Sequence, residues 1–177
     1  AEGQIKNIIF LMPDGGGYGQ YDYANAFKEA GYNFDVTKFP NATQREQGSL
    51  FIKDYLAGSV RTRAANAEIT DSANGGTTFA SGIRTNNGWL SMTTDYHPRA
   101  TILESAQELG KATGLVSQVY FYHASPTSFA SHWIDRGAYE LLATQVENNG
   151  VDVVLCGGYG GIETGNKSIK TPEAMGY

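Results

Sequence analysis

Residues 68–82 constrain the fold of this chain more than any other stretch. After a short approach at residues 68–71, the stretch consists of small residues, and Phe79 is the one large apolar side chain of residues 72–82. The pattern predicts a helix that begins at Ser72, whose first N–H groups and positive dipole end favour an anion. A hydroxyl there is close enough to a bound phosphate or sulfate to attack it. The alternative is a Ser/Asp N-cap that has no catalytic role.

Two neighbouring glycines in this helix carry a further prediction. Gly75 and Gly76 are poor helix formers and cost about 1 kcal/mol each relative to Ala. We therefore expect backbone or a ligand to approach the helix closely at this point.

Length and composition limit the class of protein. A chain of 177 residues is one domain, or one domain with an excursion. Its net charge of −5 and the lack of a Lys/Arg run argue against nucleic-acid or anionic-membrane binding. No apolar stretch reaches about 18 residues, so no membrane span is predicted. Cys156 is the single cysteine, which excludes an intrachain disulfide.

Three short apolar runs predict buried strands, at residues 6–12, 112–122 and 151–156. Helices are predicted at residues 21–30, 102–109, 126–134 and 139–148, and residues 48–60 are expected to hold one or two short strands. This alternation is typical of a three-layer α/β fold, with a mostly parallel sheet and helices on both faces.

Helix boundaries are marked by specific residues. Thr101 and Glu104 match a capping box, and Gly110 is expected to end that helix. Ser125 is predicted to cap the next helix, with Pro126 as its first residue.

Ligands of parallel sheets bind beyond the carboxyl ends of the strands. Asp14, His123 and Gly157 each follow a predicted strand, so they are expected to gather along one edge. Asp14 is followed by glycines and is placed to bind a cation, although it also fits a turn that caps itself. His123 and Ser125 are expected to face the same site. The alternative for His123 is a half-buried histidine with a structural hydrogen-bond partner.

Arg136 has a planar guanidinium that matches two phosphate oxygens. Its alternative role is that of a cation at a helix end. His97 and His132 are interpreted as packing residues. Because the chain lacks Gly-x-Ser-x-Gly, Gly-x-Gly-x-x-Gly and Walker A motifs, the nucleophile elbow and the familiar nucleotide sites are unsupported.

Taken together, these motifs resemble those of the alkaline phosphatase family, in order, over most of the chain. The matching blocks are the first strand with residues 14–17, residues 70–73 with 81–82, residues 85–88, 103–104 and 110–116, residues 123–126 with His132 and Arg136, and residues 150–158.

The resemblance implies hydrolysis of phosphate monoesters at alkaline pH, with Ser72 as the nucleophile of a phosphoserine intermediate. It implies two Zn²⁺ and one Mg²⁺, with the zinc ions about 4 Å apart on either side of the phosphorus during the in-line displacement. Arg136 would bind phosphate oxygens and Asp71 would orient it. Asp14 would bridge one zinc and the magnesium, Ser125 would ligate the magnesium, and His123 would bind there through water.

Family members are well over twice as long, and their other zinc ligands lie in the C-terminal half. We therefore expect residues 1–177 to be a single α/β domain, the N-terminal portion of a larger catalytic domain, incomplete at the C-terminal side. A non-catalytic phosphate-binding fragment, or a phosphodiesterase or sulfatase of the same superfamily, is the alternative. The resemblance, with the processed look of residues 1–4, favours a periplasmic or secreted homodimer.

Overall fold

The computed structural model describes residues 6–29 and 50–157. The chain divides into two compact units, Ala1–Val60 and Arg61–Tyr177, each considered by itself. The first unit holds helix α1 (Tyr18–Glu29) and a 3-10 helix (Phe51–Tyr55). The second holds, in chain order, α2 (Ser72–Ser81), α3 (Ile102–Glu108), β1 (Gly114–Ser117), α4 (Ala124–Ala130), α5 (Tyr139–Asn149) and β2 (Val153–Cys156).

The apolar run at residues 6–12 does not form the buried strand that its sequence predicts. Its described residues form no strand, and Ile8, Ile9 and Leu11 are 83%, 86% and 83% exposed. The predicted buried strand is therefore wrong here. A strand needs a hydrogen-bonded neighbour to satisfy its backbone groups, and none of the described residues pairs with this run.

The turn after this run forms as expected. Gly16 N donates to the Pro13 carbonyl at 3.1 Å, and Gly15 has a φ of 70°. α1 follows at Tyr18–Glu29, so it starts three residues before the prediction, while residues 30 and 31 lie outside the described part. Among the described residues of the 48–60 segment, the 3-10 helix replaces the expected strands.

β1 and β2 of the second unit pair in parallel, with Leu115 opposite Val154 and Val116 opposite Leu155. Both strands are shorter than predicted, at four residues each. Parallel strands joined by intervening helices confirm the α/β class. Leu115 is buried on one face, whereas Val116 and Leu155 on the other are 78% and 62% exposed.

α4 lies at the centre of the second unit and contacts α2, α3, α5 and β1. Its first residue, Ala124, belongs to a fully buried core cluster with Ala73, Leu90 and Leu142. α4 spans Ala124–Ala130 and not residues 126–134. Ser125, the predicted cap, is thus its second residue and Pro126 its third.

α3 begins and ends as its sequence predicts. Thr101 Oγ1 accepts from Glu104 N at 3.1 Å, and Glu104 Oε2 accepts from Thr101 N at 2.8 Å, which is the expected capping box. Gly110 follows with a φ of 68°. No helix among the described residues is long and apolar enough to cross a membrane.

Candidate active site

The start of α2 is fixed by the residue before it. Asp71 has extended backbone angles, and its Oδ1 accepts from Asn74 N at 2.9 Å. α2 then runs from Ser72 to Ser81 and stops at Gly82, whose φ of 69° is left-handed. The predicted helix start at Ser72 is confirmed, and the Ser72 hydroxyl belongs to the first turn, where backbone N–H groups favour an anion.

An ion pair joins this helix start to the segment after α4. Arg136 Nη1 donates to Asp71 Oδ2 at 3.1 Å, and the two side chains are only 29% and 24% exposed. Gly88 contacts both residues, because its N donates to Asp71 Oδ2 at 2.9 Å and its carbonyl accepts from Arg136 N at 2.8 Å. A guanidinium held at this position presents its other N–H groups to an anion with little loss of side-chain freedom.

His123, just before α4, lies close to the same arginine. It is the residue that precedes α4, and its Nε2 lies 3.4 Å from Arg136 Nη2. Since a guanidinium only donates hydrogen bonds, His123 Nε2 is the acceptor in this long contact. His123 does not follow directly on β1, which ends at Ser117, whereas Gly157 does follow directly on β2.

Asn87 was not predicted as a site residue, because residues 85–88 contributed only to the family resemblance. Its Oδ1 accepts from Asp71 N at 2.9 Å, and its Nδ2 donates to the Ile69 carbonyl at 2.9 Å. Asn87 N also donates to Asn66 Oδ1 at 2.9 Å. One side chain thus holds the backbone on both sides of Thr70. Paired amides just before the turn glycine are the signal that indicates this role.

Asn74 is a second missed residue and is fully buried beneath the start of α2. Its Nδ2 donates to Thr70 Oγ1 at 2.8 Å, and its Oδ1 accepts from Thr85 N at 2.9 Å. A buried amide is tolerated only when its polar atoms are paired. Asn74 therefore ties α2 to the turn that carries Asn87 and Gly88.

The two glycines of α2 have different surroundings. A Cβ added at Gly76 would lie 2.9 Å from Ser128 Cβ on α4, closer than real Cβ atoms approach. Among the described residues, a Cβ added at Gly75 would have Thr70 Oγ1 as its one neighbour within 4 Å, at an ordinary 3.7 Å. The predicted close approach is confirmed at Gly76, where α2 and α4 pack together.

Two groups of the second unit have raised pKa values. Burial is the main reason that the pKa of Tyr122 lies above 10.0, with the neighbouring phenols of Tyr120 and Tyr139 adding to it. Burial also raises the pKa of the Cys156 thiol above 9.0, and a hydrogen bond with the Ser117 backbone opposes that shift.

The remaining predicted metal ligands divide between the two units. Asp14 is exposed in the turn of the first unit, whereas Ser72, His123 and Ser125 belong to the second. A metal shared by Asp14 and Ser72 stays a prediction. Residues 6–29 and 50–157 contain no group of three His, Cys, Asp or Glu side chains arranged to hold a metal.

An α/β fold with a serine at a helix start, preceded by an aspartate that holds an arginine, is suited to binding a phosphate or sulfate group. The family model described as alkaline phosphatase matches residues 5–171. The chain therefore belongs to the alkaline phosphatase family.

Individual relatives agree with the family model. Alkaline phosphatase 3 of Bacillus subtilis (strain 168) is 34% identical over 98% of this chain, which covers 37% of that protein. A cold-active alkaline phosphatase from a psychrophilic Shewanella species matches with a TM-score of 0.68 and 27% identity, over 80% of this chain and 33% of that one.

A third match carries a metal. A variant of the alkaline phosphatase from the Antarctic bacterium TAB5, with Mg bound in its M3 site, has a TM-score of 0.64 and 27% identity, over 79% of this chain and 39% of that one. The chain spans between 33% and 39% of the length of these three proteins.

Proposed function

We propose that the protein containing this chain hydrolyses phosphate monoesters at alkaline pH through a phosphoserine intermediate on Ser72. The observation that carries the proposal is the Asp71–Arg136 ion pair, 3.1 Å long, beside the first turn of α2. It supports a site where the phosphate lies between a helix start and a guanidinium, with the Ser72 hydroxyl next to the phosphorus.

The chemistry follows from these positions. The Ser72 oxygen forms a bond to phosphorus while the bond to the ester oxygen breaks, and the serine proton passes to solvent. The alcohol leaves with a proton from water. Water then attacks the phosphoserine phosphorus and releases inorganic phosphate and the free serine. Throughout both steps, Arg136 binds non-bridging oxygens and Asp71 keeps the guanidinium oriented.

The side chains that the family resemblance assigns are chemically suited to part of a metal site. Asp14 and Ser125 would supply the kind of oxygen ligand that Mg²⁺ prefers, and His123 would bind that ion through water. Asp14 and Ser72 would be two of the zinc ligands, where zinc sites usually have three from the protein. When bound, two Zn²⁺ and one Mg²⁺ would stabilise negative charge on the attacking and leaving oxygens. The alkaline phosphatase family is metal-dependent, which supports this set.

The wider organisation is proposed on the same basis. Residues 1–177 form the N-terminal portion of a larger α/β catalytic domain, and the intact protein is a periplasmic or secreted homodimer. The family membership and the coverage of about a third of each relative support this proposal.

Replacement of Ser72 tests the proposal directly. Ser72→Ala should reduce the hydrolysis of 4-nitrophenyl phosphate by the intact protein about a thousandfold or more, because the nucleophile is lost. Ser81→Ala is the matched control, since Ser81 lies at the other end of α2, where its Oγ is 3.0 Å from Ser91 Oγ. That control should keep its turnover within about twofold.

Near-normal turnover of Ser72→Ala would overturn the assignment of the nucleophile. Faster hydrolysis of bis(4-nitrophenyl) phosphate or 4-nitrophenyl sulfate than of the monoester would identify a phosphodiesterase or sulfatase instead. A chelator should abolish turnover, and added Zn²⁺ with Mg²⁺ should restore it.

A further inference from the structure

His132, which its sequence context marks only as a packing residue, lies at the centre of a polar network. Its Nε2 is 2.7 Å from Glu104 Oε1 on α3, and its Nδ1 is 3.0 Å from the Ser91 carbonyl. The two side chains are only 24% and 23% exposed. Because a carbonyl only accepts, Nδ1 carries a proton and donates it to Ser91. Both edges of the ring are therefore fixed.

The backbone of His132 is held as firmly as its ring. Its N donates to Gln145 Oε1 on α5 at 2.7 Å, and Gln145 Nε2 donates back to the His132 carbonyl at 3.3 Å. Glu104 is anchored in turn by the α3 capping box, where Oε2 accepts from Thr101 N at 2.8 Å. His132 thus joins α3, α5 and the Ser91 segment at a single point.

This point lies four residues before Arg136 in the chain. Leu90 and Trp133 exchange both backbone hydrogen bonds at 2.7 and 3.0 Å, and Arg136 N donates to the Gly88 carbonyl at 2.8 Å. Trp133 and Arg136 are therefore tied to Leu90 and Gly88 by backbone hydrogen bonds, and we expect a shift of His132 to reach Arg136 along this segment. The far end carries the guanidinium that meets Asp71.

We propose that His132 and Glu104 form a positioning pair, which keeps residues 132–136 aligned with residues 88–91 and thereby holds the Arg136 guanidinium in place for phosphate. The inference rests on the function proposed above, because it concerns the same phosphate site. His132 itself touches neither substrate nor reacting atoms. Its effect reaches phosphate only through Arg136.

Two conservative variants separate the two hydrogen bonds of the ring. The amide nitrogen of Gln reaches as far as His Nε2, so His132→Gln keeps a donor for Glu104 and loses the bond to Ser91. The amide nitrogen of Asn lies near His Nδ1, so His132→Asn keeps the donor for Ser91 and loses Glu104. His97→Asn is the matched control, since the His97 side chain is 77% exposed and lies 3.9 Å from the Asp95 carboxylate.

The experiment measures KM for 4-nitrophenyl phosphate, the inhibition constant of inorganic phosphate, and kcat, on the intact protein. His132→Asn should raise KM and the inhibition constant about fivefold to tenfold, with kcat within about twofold, because uniform binding is weakened. His132→Gln should recover most of the affinity, and His97→Asn should match the parent protein. Thermal melting confirms that each variant is folded.

A double-mutant cycle shows whether the effect passes through the arginine. In an Arg136→Ala background, His132→Asn should change the phosphate constant by less than about twofold, because residues in one network are not additive. If His132→Asn still raises the inhibition constant of phosphate fivefold to tenfold in the Arg136→Ala background, the positioning role is overturned. Equal losses of phosphate affinity for His132→Asn and His132→Gln would overturn it as well. If Arg136→Ala alone leaves phosphate affinity unchanged, the phosphate site itself is wrong and the pair has nothing to position.

Discussion

The first turn of α2 and the contact of its middle with α4 depend on different interactions. The first turn is held by directional polar contacts, since Asp71 accepts from Asn74 N, Gly88 N and the Arg136 guanidinium at 2.9 to 3.1 Å. The contact with α4 depends on shape, since Gly76 leaves room for Ser128. Hydrogen bonds fix the direction of side chains, whereas tight packing fixes the distance between helices.

The comparison teaches that position along one short helix separates function from stability. Changes at the first turn should reduce phosphate binding and turnover while the protein stays folded. Changes in the middle should reduce the free energy of unfolding and affect catalysis only through the loss of folded protein.

After the loss of the nucleophile Ser72, the largest expected effect is the loss of Arg136. Arg136→Ala should weaken the binding of inorganic phosphate to the intact protein by about 10-fold to 100-fold, since a hydrogen bond to a charged group contributes about 1.5–3 kcal/mol. The measurement is the inhibition constant of phosphate. Arg99→Ala is the control, because Arg99 is exposed. Equal effects of Arg136→Ala and Arg99→Ala on the inhibition constant would contradict a role of the first turn of α2 in phosphate binding.

Gly76→Ala should affect stability and not chemistry. The added Cβ would lie 2.9 Å from Ser128 Cβ, and overpacking of this kind costs about 1–3 kcal/mol. The midpoint of thermal unfolding should fall by several degrees, at about 2–4 °C for each kcal/mol in a protein of this size. Calorimetry or circular dichroism measures the shift.

Gly75→Ala provides the matched control in the same helix. Within the part of the chain that the structure describes, its Cβ would lie at an ordinary 3.7 Å from Thr70 Oγ1 and meet nothing closer, and Ala favours a helix by up to about 1 kcal/mol over Gly. The melting temperature should therefore stay the same or rise. A larger loss at Gly75 than at Gly76 would show that helix packing does not explain the small residues of α2.

Asn87→Ala should have an intermediate effect on the first turn. It removes the acceptor for Asp71 N and the donor to the Ile69 carbonyl, each worth about 0.5–1.5 kcal/mol. Turnover at low substrate concentration should fall clearly while the free energy of unfolding changes little, because Asp71 N loses its hydrogen-bond acceptor. Asn86→Ala in the same turn is the control, since no hydrogen bond of its side chain occurs within the described residues. Matching losses at both positions would contradict a specific role of Asn87.

The smallest expected effect is a pH dependence of the free energy of unfolding, which arises from buried groups of the second unit. Burial raises the pKa of Tyr122 above 10.0 and that of Cys156 above 9.0, so the folded chain holds both protons more tightly than the unfolded chain does. The unfolded chain releases them first as the pH rises, and the free energy of unfolding should therefore fall above about pH 9. Tyr122→Phe should reduce this slope in urea titrations, and an unchanged slope would contradict the assignment.

Local rules predicted the boundaries that depend on local groups. The start of α2 at Ser72, the capping box of Thr101 and Glu104, and the end of α3 before Gly110 all follow from backbone N–H groups and glycine conformations close in sequence. These features need no distant partner, so the sequence alone is enough to predict them.

The errors occurred where a distant partner decides the structure. Residues 6–12 have the pattern of a buried strand but lack a described neighbour to pair with. α4 ends early because Ser131 becomes extended, with φ of −146°, where the chain turns to pair with residues 88–91. Pro126 is tolerated as the third helical residue because the first four N–H groups have no helical partner.

The candidate site shows the same division. Asp71, Ser72, His123 and Arg136 were named from sequence, and the structure brings Asp71 and His123 to the same guanidinium. The supporting residues were missed. Asn74, Asn87 and the His132–Glu104 pair act through contacts over 11 to 28 positions in sequence. The paired amides before Gly88 indicate a polar role for Asn87, but no local pattern specifies these distant partners.

The central claim is that the hydroxyl at the start of α2 receives the phosphoryl group. The most direct measurement is rapid acid quench of the intact, metal-loaded protein during turnover of 4-nitrophenyl phosphate, followed by peptide mass spectrometry. The account predicts a phosphoryl group on Ser72 that is absent in Ser72→Ala. A phosphoryl group on any other residue, retained in Ser72→Ala, would contradict it.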